Sequence, residues 1–467
     1  LHYEDTIMFA EPTTSTARLP SPADDPSRAW APYTPDAANP WDLRKAGHLY
    51  RRAGFGATWQ QLQRALADGP QRTVDALLRP QGDLAAFRRR FDGFEASANS
   101  ADGLRAWWLR RMLESPHPLE EKMTLFWHGH FAIGAAKQSS PRVLSPYLKL
   151  LRSQALGRFD ALLDSISREP AVLVGADGGA NRRGKPAESY ARAMLEAFSS
   201  GEGQCSPQDI KEAARAFTGQ FVLHDEYRFV QREHDPGVKD VLGQKGNWKG
   251  EDIVRIVLGH PATPRRIVQK LYRWLLSETS EPEDSLLAPL TSAFAKDFDI
   301  GKLVETMVRS NLFFSSAAYR QRIKCPVEYA LGIVHALEAI APTAPLGNHL
   351  AILGQNLLNP PTVHGWPGGK AWLNRFTLAG RNNLALALLI GEEPYADAVN
   401  PQAIVERPGL RDRASTGQFL VDLFLQGDAP PDAVKCLNDS KLPAGDLARQ
   451  SRQLAHAVVT LPEFHLA

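Results

Sequence analysis

A helical period with end signals in the right places recurs along this chain, and strand patterns are scarce. In "HPATPRRIVQKLYRWLLS", Thr263 is placed to cap, Pro264 suits a first helical position, and Ile267, Val268, Leu271, Trp274 and Leu275 fall on one stripe. In "CSPQDIKEAARAFTGQ", Ser206 and Asp209 have capping-box spacing, Ile210, Ala214 and Phe217 share a face, and Gly219 is a natural stop. The best strand signal is "QFVLHDEYRFVQ", two β-prone runs flanking Asp225 and Glu226, which predicts a small hairpin. There is no strand–helix alternation, no glycine loop for a nucleotide phosphate and no serine on a nucleophile elbow. The expected fold class is mainly α: a compact irregular multi-helix domain with at most a small β-hairpin.

Composition supports a folded body: 43% of the 467 residues are hydrophobic and 23% charged. With 54 Lys and Arg against 52 Asp and Glu, the formal net charge is +2, so no global field recruits nucleic acid. Cys205, Cys325 and Cys436 are too far apart for a disulfide framework or a zinc ribbon. No apolar run approaches the ~20 residues of a transmembrane helix. The chain begins at Leu1, as it would after loss of a leader or truncation. Residues 1–40, rich in Pro, Ala, Ser and Asp, read as an arm anchored by aromatics such as Trp30 and Tyr33, and residues 41–467 as one large helical domain. Residues 281–290 and 339–348 look like loops within that body.

Four segments can carry chemistry. In "TLFWHGHFAIG", His128 and His130 would point to one side of an extended segment, as a metal-ligand pair does, but diverge on a helix. The preceding "LEEKMTLFW" is helical in character, so Gly129 is expected to end that helix and leave His130 in a turn. In "NRRGKPAESYARAMLEAF", Arg182 and Lys185 beside Gly184 suit an anion at a helix start. Glu188, Arg192 and Glu196 then recur every four residues opposite an apolar side of Tyr190, Met194 and Phe198. Such a row usually forms solvated ion pairs, but if buried it supplies acid–base groups. His234 and Asp235 lie in a Gly-rich loop, where they serve as a ligand and general base or only close a strand end. The Pro-, Gly- and Trp-dense "LNPPTVHGWPGGKAWLNRF" makes a shaped loop with His364 and Trp366 at its centre, fit to line a pocket or plug a core.

Several stretches together, "HLYRRAGFGAT", "EKMTLFWHGHF", "NRRGKPAESYARAMLEAFSSGEG", "DIKEAARAFTG", "REHDPGVKDVLGQKGNW", "KCPVEYALGIVHAL" and "LGQNLLNPPTVHGWPGGKAWLNR", resemble the domain-of-unknown-function 1800 family of bacterial proteins. The resemblance implies an exported, periplasmic or envelope-associated protein, often encoded beside a partner similar to sulfatases and alkaline phosphatases. It implies no reaction. Ala187, Ser189 and Ala193 stand where the family pattern carries Asn, Asn and Glu, which puts any ligand held by those groups in doubt.

Two readings compete. In the first, an exported hydrolase or oxidoreductase holds a divalent transition metal or an anion. His128, His130 and His234 are then the metal ligands and Glu188, Arg192, Glu196 and Asp235 the catalytic groups. Arg182 and Lys185 bind the anion, and Tyr190, His364 and Trp366 line the pocket. In the second, the chain is a non-catalytic helical scaffold or partner of the sulfatase/phosphatase-like protein. The first requires the distant segments to meet in one concave pocket.

Overall fold

The computed structural model describes residues 25–81, 83–95, 99–133, 140–279, 281–391, 393–396, 398–439 and 446–467. Most of the expected arm, residues 1–24, lies outside them. Its remainder packs onto the body: Trp30 donates its indole N–H to Leu286 O at 2.7 Å, and Tyr33 is fully buried.

The described residues are mainly helical, with two small antiparallel two-stranded sheets. The helices that position the clefts are α1 (Leu43–Ala53), α2 (Ala101–Glu114), α3 (Pro118–His130), α4 (Pro141–Ser153), α5 (Glu188–Arg192), α6 (Pro207–Ala216), α7 (Ala262–Leu275), α8 (Pro326–Ala336), α9 (Thr343–Ile352) and α10 (Arg375–Ile390). One continuous core of buried apolar residues runs from Ala29 to Phe464. Among the described residues no helix is long and apolar enough to cross a membrane.

The capping box of α6 forms as its sequence specifies, with Ser206 and Asp209 satisfying each other's backbone N–H groups. The stripe of α7 is buried through Ile267, Val268, Leu271 and Leu275, while Trp274 faces a cleft. Thr263 does not cap α7: it lies in the first turn and donates its hydroxyl to Val257 O at 2.6 Å. Of the residues read as loops, 281–283 and 339–342 are non-helical, whereas 284–290 and 343–348 are helical, within Asp284–Asp297 and α9. Their prolines mislead: Pro345 sits in the first turn of α9, where the missing N–H would have no partner anyway, and Pro289 is tolerated inside its helix.

The expected hairpin pairs β1 (Gln220–Leu223) with β2 (Glu226–Phe229), Leu223 opposite Glu226. His224 and Asp225 both take positive φ, 52° and 66°, as a tight two-residue turn demands. A second hairpin, β3 (Lys239–Val241) with β4 (Gln244–Gly246), was not expected; it turns on Leu242 and Gly243, and leucine at positive φ is no turn signal.

At the centre lies α3, buried on nearly every side and holding two charged clusters. Glu121 accepts from Arg111 Nε at 2.7 Å, Arg152 Nε at 2.8 Å and Trp108 Nε1 at 3.0 Å. Lys122 pairs with Glu328 of α8 and donates to the carbonyls of Arg51 and Gly54.

Candidate functional site

Gly129 does not end α3, which continues through His130. The two histidines therefore leave the helix in divergent directions, about 200° apart. The backbone of the glycine between them is a contact surface. Gly365, at φ 78°, rests on it so closely that a methyl group there would run into the Gly129 carbonyl. The Pro-Gly-Trp loop thus docks by backbone approach onto the end of α3.

His128 locks that loop in place. Its Nε2 accepts the Leu358 N–H at 3.0 Å, so the ring proton lies on Nδ1, 3.4 Å from Tyr147 Oη, and Tyr147 donates to Phe131 O at 2.8 Å. Burial pulls the imidazole down to about 3, keeping it neutral, and both nitrogens are occupied.

His130 faces the other way. Its Nε2–H donates to Phe198 O at 3.1 Å, leaving Nδ1 as an acceptor 2.8 Å from Lys270 Nζ. Burial, and then the neighbouring Arg266 charge, push the Lys270 amine down to about 7. No carboxylate pairs with Lys270 among the described residues; its polar contact is the imidazole.

Lys270 opens on a cleft of about 740 Å³ between α3, α7 and the Pro-Gly-Trp loop, walled by His130, Trp274, Glu278, Arg322, Trp366 and Trp372. Four buried polar atoms on that wall have no hydrogen-bond partner: Trp274 Nε1, Trp366 Nε1, Arg322 Nε and Glu278 Oε2. These atoms are shielded inside the wall; the lining itself carries Lys270, Arg273, Arg320, Arg322 and Lys370 against one carboxylate, Glu278, a balance that suits an anionic ligand.

A second cleft, of about 880 Å³, lies on the other side of the loop and includes Arg192, Glu196, Glu202, Cys205 and His364. Here the every-four row forms in its second half, the Arg192–Glu196 ion pair. After α5 the chain widens into a π-helix, Ala193–Ser200, in which the Ser199 and Ser200 hydroxyls donate to the carbonyls of Met194 and Leu195 at 2.7 Å. The changed winding buries Glu196, 6% exposed, while Glu188 and Arg192 stay exposed. Glu196 accepts from Arg192 at 3.1 Å and from the Gly203 N–H at 3.2 Å.

The candidate residues thus fall into separate places. Arg192, Glu196 and His364 share the second cleft; His130, His364 and Trp366 line the first, with His364 common to both. Tyr190 is fully buried, its hydroxyl on Ser167 O at 2.6 Å. Arg182 and Lys185 close an exposed turn before α5. His234 Nδ1 donates to Thr218 O at 2.9 Å, and Asp235 takes Arg215 through both oxygens, which lowers its carboxyl to about 2.

As metal ligands the three histidines do not fit one ion. His128 and His130 have both nitrogens engaged, and His234 sits at the hairpin base. Among the described residues no group of three or more His, Cys, Asp or Glu is placed to hold a metal.

Sequence reasoning missed Lys270, Glu278 and Arg322. The available signal was Arg266 and Lys270 at four-residue spacing, in line with Trp274 at the edge of the apolar stripe of α7, a pattern that reads as an ordinary solvated flank.

No curated protein and no solved structure matches the chain. One family's sequence model matches residues 48–466, a span that holds both clefts, both histidines of α3 and Lys270. On that match the chain belongs to the family described as Protein of unknown function (DUF1800).

Proposed function

We propose that this protein is an enzyme acting on a small anionic substrate held in the cleft of α3, α7 and the Pro-Gly-Trp loop, with Lys270 as proton acceptor. The observation that carries this reading is Lys270 Nζ at 2.8 Å from His130 Nδ1 on the wall of the 740 Å³ cleft. An amine titrating near neutrality takes a proton from water or a substrate hydroxyl as a general base, the step a hydrolase needs. His130, fixed by the Phe198 carbonyl, orients that amine. The cationic lining of Lys270, Arg273, Arg320 and Lys370 faces the substrate's anionic oxygens, and the tryptophan rings face its apolar part. The anion site of the sequence reading is thereby moved from Arg182 and Lys185 to the cationic lining around Lys270.

The test is a thermal-shift and calorimetric screen of phosphate, sulfate and carboxylate esters against wild type and Lys270→Met. Ligands that bind wild type and lose at least tenfold affinity in the variant support the reading. Equal binding to both rejects it.

Exposed apolar residues favour a second reading, docking of a protein partner. Ile352, 77% exposed, ends α9, and Phe376, 72% exposed, begins α10, where the two helices meet through Leu353 and Gly380. The sulfatase/phosphatase-like protein implied by the family resemblance is the partner to test there. Ile352→Ser with Phe376→Ser would abolish its co-purification.

A further inference from the structure

A third cleft, of about 320 Å³, opens where α7 begins and faces the end of the π-helix; Ser200, Gln204, Ala262, Arg265, Arg266 and Gln269 lie along it. It shares no lining residue with the substrate cleft. Arg265 is taken by Asp284, and Gln269 donates to Glu281 at 2.8 Å. Arg266 is not taken. Its Nε is enclosed in the wall, but Nη1 and Nη2 are open and have no hydrogen-bond or ion-pair partner among the described residues. The half-buried guanidinium keeps its charge whatever its surroundings.

Its place is set by backbone. Gly201 follows the π-helix at φ 101°, and a methyl group on it would lie 3.0 Å from Arg266 Nη1. Two carboxylates lie in the neighbourhood, and both are engaged elsewhere. Glu196 holds Arg192 and the Gly203 N–H, while Glu202, exposed on the rim, lies 3.6 Å from His364 Nε2. Their charges act on Arg266 from beyond ion-pair range. Ala262, the first residue of α7, is on the lining, so the positive end of that helix adds to the guanidinium. The lining has no aromatic ring and nothing apolar larger than Ala262, so it suits a small oxyanion with some of its water and offers little to an organic body.

Arg266 also precedes Lys270 by one helical turn, and its charge stands second to burial in pushing that amine down. His130 of α3 touches Lys270, and Arg273, Glu278 and Arg322 line the same cleft. We propose that the third cleft binds an inorganic oxyanion, phosphate or sulfate, on Arg266, and that the bound ion restrains Lys270. An anion there offsets the Arg266 charge, so more of the Lys270 amine holds its proton at neutral pH and cannot accept another. The restraint rests on the reading of Lys270 as proton acceptor; the binding does not.

The experiment titrates the full chain with sodium phosphate by calorimetry at constant ionic strength, beside Arg266→Gln and Glu202→Gln, and follows Lys270 by competitive acetylation with and without phosphate. Phosphate is expected to bind wild type, to bind Arg266→Gln about tenfold more weakly or worse, and to bind Glu202→Gln more tightly. In wild type, phosphate is expected to raise the Lys270 midpoint by about half a pH unit or more. In Arg266→Gln that midpoint is expected to be raised already and not to move with phosphate. Crystals soaked in sodium selenate, a sulfate analogue, are expected to show an anomalous peak at the Arg266 Nη atoms, a result that stands should the variant fail to fold. Equal phosphate affinity in wild type and Arg266→Gln overturns the proposal, as does selenate found only in the substrate cleft. A Lys270 midpoint near 7 that phosphate leaves in place overturns the restraint. A midpoint near 10 overturns the proton-accepting role and the restraint with it, but not the oxyanion site.

Discussion

Lys270 Nζ lies 2.8 Å from His130 Nδ1, while the far nitrogen of the same imidazole holds the Phe198 carbonyl at 3.1 Å. The ring is thus a fixed acceptor between a π-helix and a lysine. Lys270→Met is expected to abolish anion binding in its cleft and yet leave the fold at least as stable at pH 6, because a buried amine with its pKa pushed down opposes folding when protonated. Urea unfolding beside ligand titration checks both halves.

Gly129 and Gly365 predict an asymmetric pair of alanine variants. At Gly365 the positive φ and the Gly129 carbonyl both oppose a methyl group, so Gly365→Ala is expected to cost about 2 kcal/mol or more. At Gly129 the nearest atom to an added methyl is Trp366 Cε3 at 4.0 Å. Gly129→Ala is therefore expected to be neutral or to gain up to about 1 kcal/mol from helix propensity. Chemical denaturation of the two variants measures the difference.

Glu121, fully buried, holds Arg111 and Arg152 together. Glu121→Gln leaves two buried guanidiniums without their counter-charge and is expected to cost about 3–5 kcal/mol. A loss under about 1 kcal/mol in urea unfolding would contradict the cluster's role in fixing α3.

Stability is expected to fall with acid in two stages. The His128 imidazole titrates at about 3 when folded, against an ordinary value near 6.5. Its contribution is complete above pH 6.5 and shrinks as pH falls, because the unfolded chain takes up the proton first. Asp235, lowered to about 2 by Arg215, contributes above pH 4 and is lost between about pH 4 and 2, some 2 kcal/mol in all. Urea midpoints from pH 8 to 3 trace both; Asp235→Asn is expected to remove the lower stage alone.

What could be read from the chain was local. Capping at Ser206 and Asp209, the stripe of α7 and the hairpin around Asp225 depend on neighbours within a few residues, and each formed. The HGH pair was misjudged because a glycine near a helix end usually stops it, and nothing local reveals that residue 365 packs its bare backbone against this helix end. The Glu188–Arg192–Glu196 row kept its Arg192–Glu196 ion pair, but the burial of Glu196 was not legible, because the winding changes to π there, which Ser199 and Ser200 assist through bonds invisible to a 3.6-residue period. Lys270 was missed because burial, not sequence spacing, makes it unusual: its helix contributes an ordinary-looking flank, and α3 covers it from 140 positions away.

The most direct test of the account is the titration of Lys270 itself, read by competitive acetylation of the native chain across pH 5 to 11 with mass-spectrometric counting at each lysine. The account predicts that Lys270 reacts with a midpoint near 7 and that His130→Phe moves it. A Lys270 midpoint near 10, together with the exposed lysines, would contradict a proton-accepting amine in this cleft.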